Sequence, residues 1–181
     1  MLKACRVINI IKHSLSVRDT AALKQLYQQY YQSVLLYCSE VWFNLEPATL
    51  KKIMHADERF WRLRSYGVQR PNVWNSVQIC VKKSLMLYFK YKHGIHVVDL
   101  ETNFEYVQNA TETRSSLRGD LKLPKMRLAM KRNEFVSVTT KIYNLMDSVQ
   151  RESRLILNYE RAVESMIAQE FTEEKLQILT S

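Results

Sequence analysis

Lys51, His55, Arg59 and Arg62 follow one another at steps of four, four and three. On an α-helix those steps place them on one face, with neighbouring side chains roughly 5–6 Å apart. A row of cations at that spacing suits a polyanion whose charges repeat along a line. Duplex DNA is such a partner, with one charge per roughly 1.7 Å of axis. Lys52, Arg64 and Arg70 extend the same basic region. Nothing in the pattern specifies a base, so these contacts would position a strand rather than read it. The plain alternative is a solvated helix face, partly balanced by Asp57 and Glu58.

The other residue types that carry chemistry do not assemble. His93 and His96 are three apart across Gly94, but no cysteine or carboxylate pair completes a ligand set, so both read as solvated loop residues. The HExxH, GxxxxGK[ST], GxSxG and CxxC patterns are absent. The carboxylates are scattered, and no two aspartates are adjacent. Two-metal phosphoryl transfer needs at least two clustered carboxylates to hold its ions. The expectation is therefore no catalytic residue, no cofactor, no metal, and no polymerase or nuclease activity in this chain alone. Cys5, Cys38 and Cys80 are odd in number and far apart, which reads as reduced thiols in an intracellular protein, nuclear or cytoplasmic. Cys38 is expected in the core.

Charge narrows the partner. The 181 residues carry a net charge of +9, and residues 1–95 hold 15 of the 27 Lys and Arg but only 5 of the 18 Asp and Glu. Residues 133–181 are acidic on balance. Such asymmetry points the first half toward a polyanion, nucleic acid before a membrane surface. No apolar run approaches the roughly 20 residues that cross a bilayer, and the VINII stretch near the start is too short for a signal peptide, so no membrane partner is expected.

Only three Gly and three Pro interrupt the chain, so long helices should position these residues and the class should be mainly α. Residues 2–13 read as a short helix with Leu2, Cys5, Ile8 and Ile11 inward. Ser16 and Asp19 match a capping-box spacing ahead of a long helix over 20–43. Its inward stripe should be Leu23, Leu26, Tyr27, Tyr30, Val34, Tyr37, Cys38, Val41 and Trp42. Tyr27, Tyr30, Tyr31 and Tyr37 could stack on bases, but most fall on that stripe and read as core, Tyr31 being off its centre. Pro47 suits the first turn of a helix over 47–65, with Leu50, Ile53, Met54, Phe60 and Trp61 inward and Gly67 beyond its end. A third helix over 76–93 repeats Val77, Cys80, Val81, Leu85, Tyr88 and Phe89, and Gly94 closes it. The texture then becomes mixed and polar, with short strands expected near 104–107 and 121–124. Helical spacing returns over 137–146 and 159–178. The organisation is a helical module over 1–95, then a connection and C-terminal helices over 96–181, with a boundary between 95 and 115 and a core the two parts can share.

The order of several segments resembles the thumb and post-thumb region of non-LTR (LINE-type) retrotransposon reverse transcriptases. They are LKQLY at 23–27, LLYCSEVW at 35–42, LKKIMHADERFWRLR at 50–64, FKYKHG at 89–94, TRSSLRGDLKLPKMR at 113–127 and NEFVSVTTKIYNLMDSV at 133–149. The resemblance covers residues 1 to about 150, in the family's order. Where the family has WN.LP, this chain has Tyr143 and Asn144 without the proline, so the helix there is expected to run on. The fingers and the palm, with its carboxylate pair, would lie upstream of this chain. The resemblance implies a thumb-like helical bundle that packs on a template–primer duplex and holds it by its backbone, weakly and without sequence preference. It also implies a partner polypeptide carrying the palm, or self-association through apolar surface meant for the palm. Two other readings stand beside it: a helical protein-interaction module that docks through the Tyr-rich helix and the acidic C-terminal helix, and a translated fragment without selected function.

Overall fold

The computed structural model describes residues 2–14, 20–63, 71–95, 104–107, 114–123 and 135–180. The fold is mainly helical. Helix α1 (Leu2–Ser14) turns Ile8 and Ile11 inward and carries Lys12 in its last turn, a cation that suits the negative end of the helix dipole. The side chains of Leu2 and Cys5 lie outside the described residues, as do Ser16, Asp19 and Gly67.

The 20–43 segment is not one α-helix. It runs as α2 (Thr20–Leu26), a π turn over Tyr27–Tyr31, α3 (Gln32–Leu35) and α4 (Ser39–Trp42). The Gln32 N–H donates to the Tyr27 carbonyl, five residues back, which opens the turn by one residue. That extra residue advances the inward face by one position. Tyr31 therefore lies under Tyr27, their rings stacked at 5.3 Å, and both are fully buried. Phe60 meets Tyr31 at 5.0 Å and Trp61 meets Tyr27 at 4.7 Å. The displaced stripe faces solvent: Tyr30, Tyr37 and Val41 are 59%, 75% and 80% exposed, and Val34 is exposed as well. A second break follows. Cys38 adopts a left-handed conformation (φ 51°), unusual for a residue with a Cβ, and its thiol is exposed rather than in the core. The Trp42 indole N–H spans this break to the Tyr37 carbonyl at 2.9 Å.

Helix α5 (Pro47–Trp61) begins on the proline and ends four residues before the expected Ser65. Helix α6 (Ser76–Lys92) starts from a capping box between Asn75 and Gln78, and Gly94 follows its end at φ 65°. Val77, Cys80, Val81, Leu85, Tyr88 and Phe89 are buried, as the spacing predicts. Helices α7 (Arg114–Leu117) and α8 (Phe135–Tyr143) follow, and on either side of α7 the two expected strands shrink to one antiparallel bridge, Tyr106 to Leu121. The helix through Tyr143 stops there instead of running on: residues 144–146 turn, and the Asn144 side chain bonds both the N–H and the carbonyl of Leu121, each at 2.9 Å. The C-terminal spacing resolves into α9 (Ser148–Arg151), α10 (Ile156–Glu170) and α11 (Glu173–Thr180), interrupted at Phe171.

Helix α6 is the central element. Helices α8 and α10 pack on it, α10 most extensively, while α11 packs on α5. Ring contacts join the halves: Tyr88 with Tyr143 at 5.0 Å and Phe89 with Tyr159 at 4.6 Å. The buried core is continuous from Ile8 to Leu176, across residue 95. Burial of the Cys80 thiol in it pushes its pKa up to about 12, so this sulfur stays protonated and inert.

Candidate nucleic-acid interface

Helix α5 separates its residues cleanly. Leu50, Ile53, Ala56, Phe60 and Trp61 are buried, whereas Lys51, Lys52, His55, Arg59 and Arg62 are exposed. At 100° per residue the five basic side chains fall within an arc of about 100° on the outer face. Arg62 caps the helix C-terminus, where its backbone N–H donates to Glu58 at 3.0 Å and its charge opposes the dipole. Among the described residues none of the five joins an ion pair, and Glu58 is the one carboxylate at the edge of their arc. The row is therefore solvated and free to meet an anion. Arg64 and Arg70 lie outside the described residues.

Asp57 does not balance this row. It is 2% exposed and points the other way. Its Oδ2 accepts the Ser76 N–H at 2.8 Å and its Oδ1 accepts the Ser76 hydroxyl at 2.6 Å. The carboxyl thus ties α5 to the first residue of α6, beside the Tyr27 and Tyr31 hydroxyls. Burial raises its pKa above the ordinary value, and the Ser76 and tyrosine hydrogen bonds pull it only part of the way back. A sequence signal for this inward aspartate existed: position 57 lies four after Ile53 and three and four before Phe60 and Trp61, in the middle of the apolar stripe. With Asp57 withdrawn, the outer face of α5 is more positive than its composition suggests.

Two cations elsewhere, Lys82 and Arg151, are engaged. Lys82 of α6 bridges Glu160 at 2.6 Å and Glu164 at 2.7 Å on α10 and stands 5.2 Å from the Trp74 ring. Partial burial works against its charge, but the two glutamates outweigh it and raise the Lys82 pKa. Arg151 is 4% exposed. It donates to Asp120 Oδ1 at 2.6 Å, to the Arg118 carbonyl and to the Asn144 carbonyl, with its guanidinium 5.0 Å from the Tyr143 ring. Neither cation has an N–H to spare at the surface comparable with the α5 row.

Tyr30 and Tyr37, expected in the core, are the tyrosines of the Tyr-rich segment that face solvent; Tyr27 and Tyr31 are enclosed. Among the described residues no three His, Cys, Asp or Glu side chains approach closely enough to hold a metal ion, and no helix is long and apolar enough to cross a membrane. Set against protein-family models, curated proteins and solved structures, the chain finds no match in any of the three.

Proposed function

We propose that this chain is a non-catalytic, thumb-like module, of the kind found after the palm of non-LTR reverse transcriptases, that holds the sugar–phosphate backbone of a template–primer duplex. The observation that carries the reading is the outer face of α5, where five basic side chains stand within one arc without a salt-bridge partner among the described residues. Contacts of this kind draw their free energy from released counterions, so they are weak at physiological salt and indifferent to sequence. A separate polypeptide carrying the palm carboxylates would supply the chemistry. An intracellular site, nuclear or cytoplasmic, goes with this reading, and Cys38 and Cys80 are both free thiols.

The test is titration of a labelled template–primer duplex across a salt series. Binding should weaken steeply as salt rises, and replacing Lys51, Arg59 and Arg62 together by alanine should reduce the log–log slope by about 3, roughly one per lost phosphate contact. An unchanged slope removes the role assigned to the row.

A second reading rests on a different observation. Tyr30, Tyr37 and Val41 present an apolar strip to solvent, which suits a protein-docking surface. It predicts a stoichiometric protein complex by size exclusion and crosslinking that Tyr37→Ser disrupts, with no measurable duplex binding.

A further inference from the structure

A second group of cations borders a cavity built from the end of α6 and from residues 106–152, with no residue of α5 in its lining. The cavity measures about 200 Å³ and is lined by Lys92, Tyr106, Arg118, Tyr143, Ser148 and Arg151 among others, with Glu152 as the carboxylate on its wall. Its floor is fixed. Arg151 is bonded to Asp120, to the Arg118 carbonyl and to the Asn144 carbonyl, and Asn144 clamps Leu121. A ligand would therefore meet a preformed surface and spend little of its binding free energy on ordering it. The rim keeps donors in hand. Arg118, with its side chain 58% exposed, spends one nitrogen on Asp120 at 2.9 Å, and the Lys92 ammonium stands 5.7 Å from the centre of the Tyr106 ring.

Charge and size select the ligand. Three cations face Glu152 and the Asp120 carboxyl behind Arg151, which leaves the site net positive. Tyr106 reports that potential: burial alone would raise its pKa, but hydrogen bonds from Tyr88 and Lys92, together with the Lys92 charge, hold the phenol below its ordinary value. The volume is smaller than the roughly 300–1,000 Å³ of pockets that enclose whole drug-sized ligands, so a single group fits rather than a complete nucleotide. A phosphate monoester brings nearly twice the charge of a carboxylate and a third acceptor oxygen out of the plane of the other two, which suits ammonium, guanidinium and hydroxyl donors placed around it.

We propose that this cavity binds a phosphate monoester group, free or at the end of a longer molecule, through Lys92 and Arg118 with the hydroxyls of Tyr106 and Ser148. The site is separate from the α5 row and does not depend on the duplex reading. The test uses the full chain carrying the Lys51, Arg59 and Arg62 alanine replacements, so that any binding seen is not that of α5. Inorganic phosphate is titrated at constant ionic strength while backbone amide NMR shifts are followed. Saturable shifts centred on Gly119 and Ser148 are expected, with Lys92→Gln weakening binding about tenfold and Glu152→Gln strengthening it. Lys141→Gln, a charge change on exposed α8 surface, should leave it unaltered. A 5′-phosphorylated dinucleotide binding more tightly than phosphate identifies a strand end as the source, and equal affinity identifies the free ion. Shifts that never saturate, equal binding by acetate, or indifference to Lys92→Gln overturn the proposal.

Discussion

The α5 face and the Arg151 node are both built from cations, and the fold treats them in opposite ways. On α5 the basic side chains alternate with an apolar stripe at helical spacing, so packing the stripe drives every basic side chain outward. Arg151 sits at the end of a four-residue helix, over Tyr143 and against Asp120, where its hydrogen bonds are spent on joining segments 118–121 and 144. A positive charge is useful to a ligand only where the protein has not already consumed its donors. By that criterion net charge overstates what this chain offers an anion, and the row on α5 is a part that stays open to one.

The difference is sharpest in stability. Arg151→Ala removes the buried partner of the Asp120 carboxylate, leaving it the exposed Arg118 alone, and frees the Arg118 and Asn144 carbonyls; it should cost about 3 kcal/mol in urea unfolding, whereas alanine at Lys51, Arg59 or Arg62 should each stay within about 0.5 kcal/mol. A comparable cost at α5 would mean that the row is structural.

Next in size is the pair of neighbouring tyrosines. Tyr31→Ala removes a fully buried ring and should destabilise by about 3 kcal/mol or more, while Tyr30→Ala, one residue earlier and 59% exposed, should be nearly neutral. The reverse result would mean that the π turn is absent and that the regular stripe faces the core.

Smaller effects appear in the pH profile, with opposite signs for the two buried aspartates. Asp57 has a raised pKa, so its folded form holds a proton that the unfolded chain releases; its contribution is present below the ordinary carboxylate value and is lost as pH rises through the raised one. Asp120 is pushed up by burial but brought down further by Arg151 and Arg118, so its contribution is present above the ordinary value and is lost as pH falls through the lowered one. Urea midpoints measured across acid to neutral pH should show Asp57→Asn and Asp120→Asn removing slopes of opposite sign. Matching slopes would contradict the placement of one carboxyl.

Much of this was legible in the residues alone. The apolar repeats of α5 and α6 are regular, so both helices and the outward α5 row follow from spacing, and Pro47 marks the start of the first. Tyr106 and Leu121 fall in the two stretches that read as short strands, but their pairing is not written in either. What misled is equally specific. The YQQYYQSVLLYCSEVW run satisfies a regular 3.6 period at Tyr30, Val34, Tyr37 and Val41, but the turn over Tyr27–Tyr31 widens where Tyr27 and Tyr31 pack against Phe60 and Trp61, and the stripe beyond it turns outward. A tertiary contact therefore chose the register, and local periodicity could not reveal it. The end of α8 at Tyr143 likewise follows from a long-range bond, Asn144 to Leu121, rather than from a helix breaker. The cavity beside Lys92 draws on residues from 92 to 152, a convergence that spacing does not encode.

Location of charge and amount of charge make different demands on duplex binding, and one paired titration separates the two. Duplex affinity is followed across a salt series for the unaltered chain, for the variant lacking Lys51, Arg59 and Arg62, and for one lacking the equally exposed Lys24, Lys141 and Arg161. The α5 variant should lose about 3 from the log–log slope while the charge-matched variant keeps most of it. Equal losses in both, or none in either, would contradict the assignment of the duplex to α5.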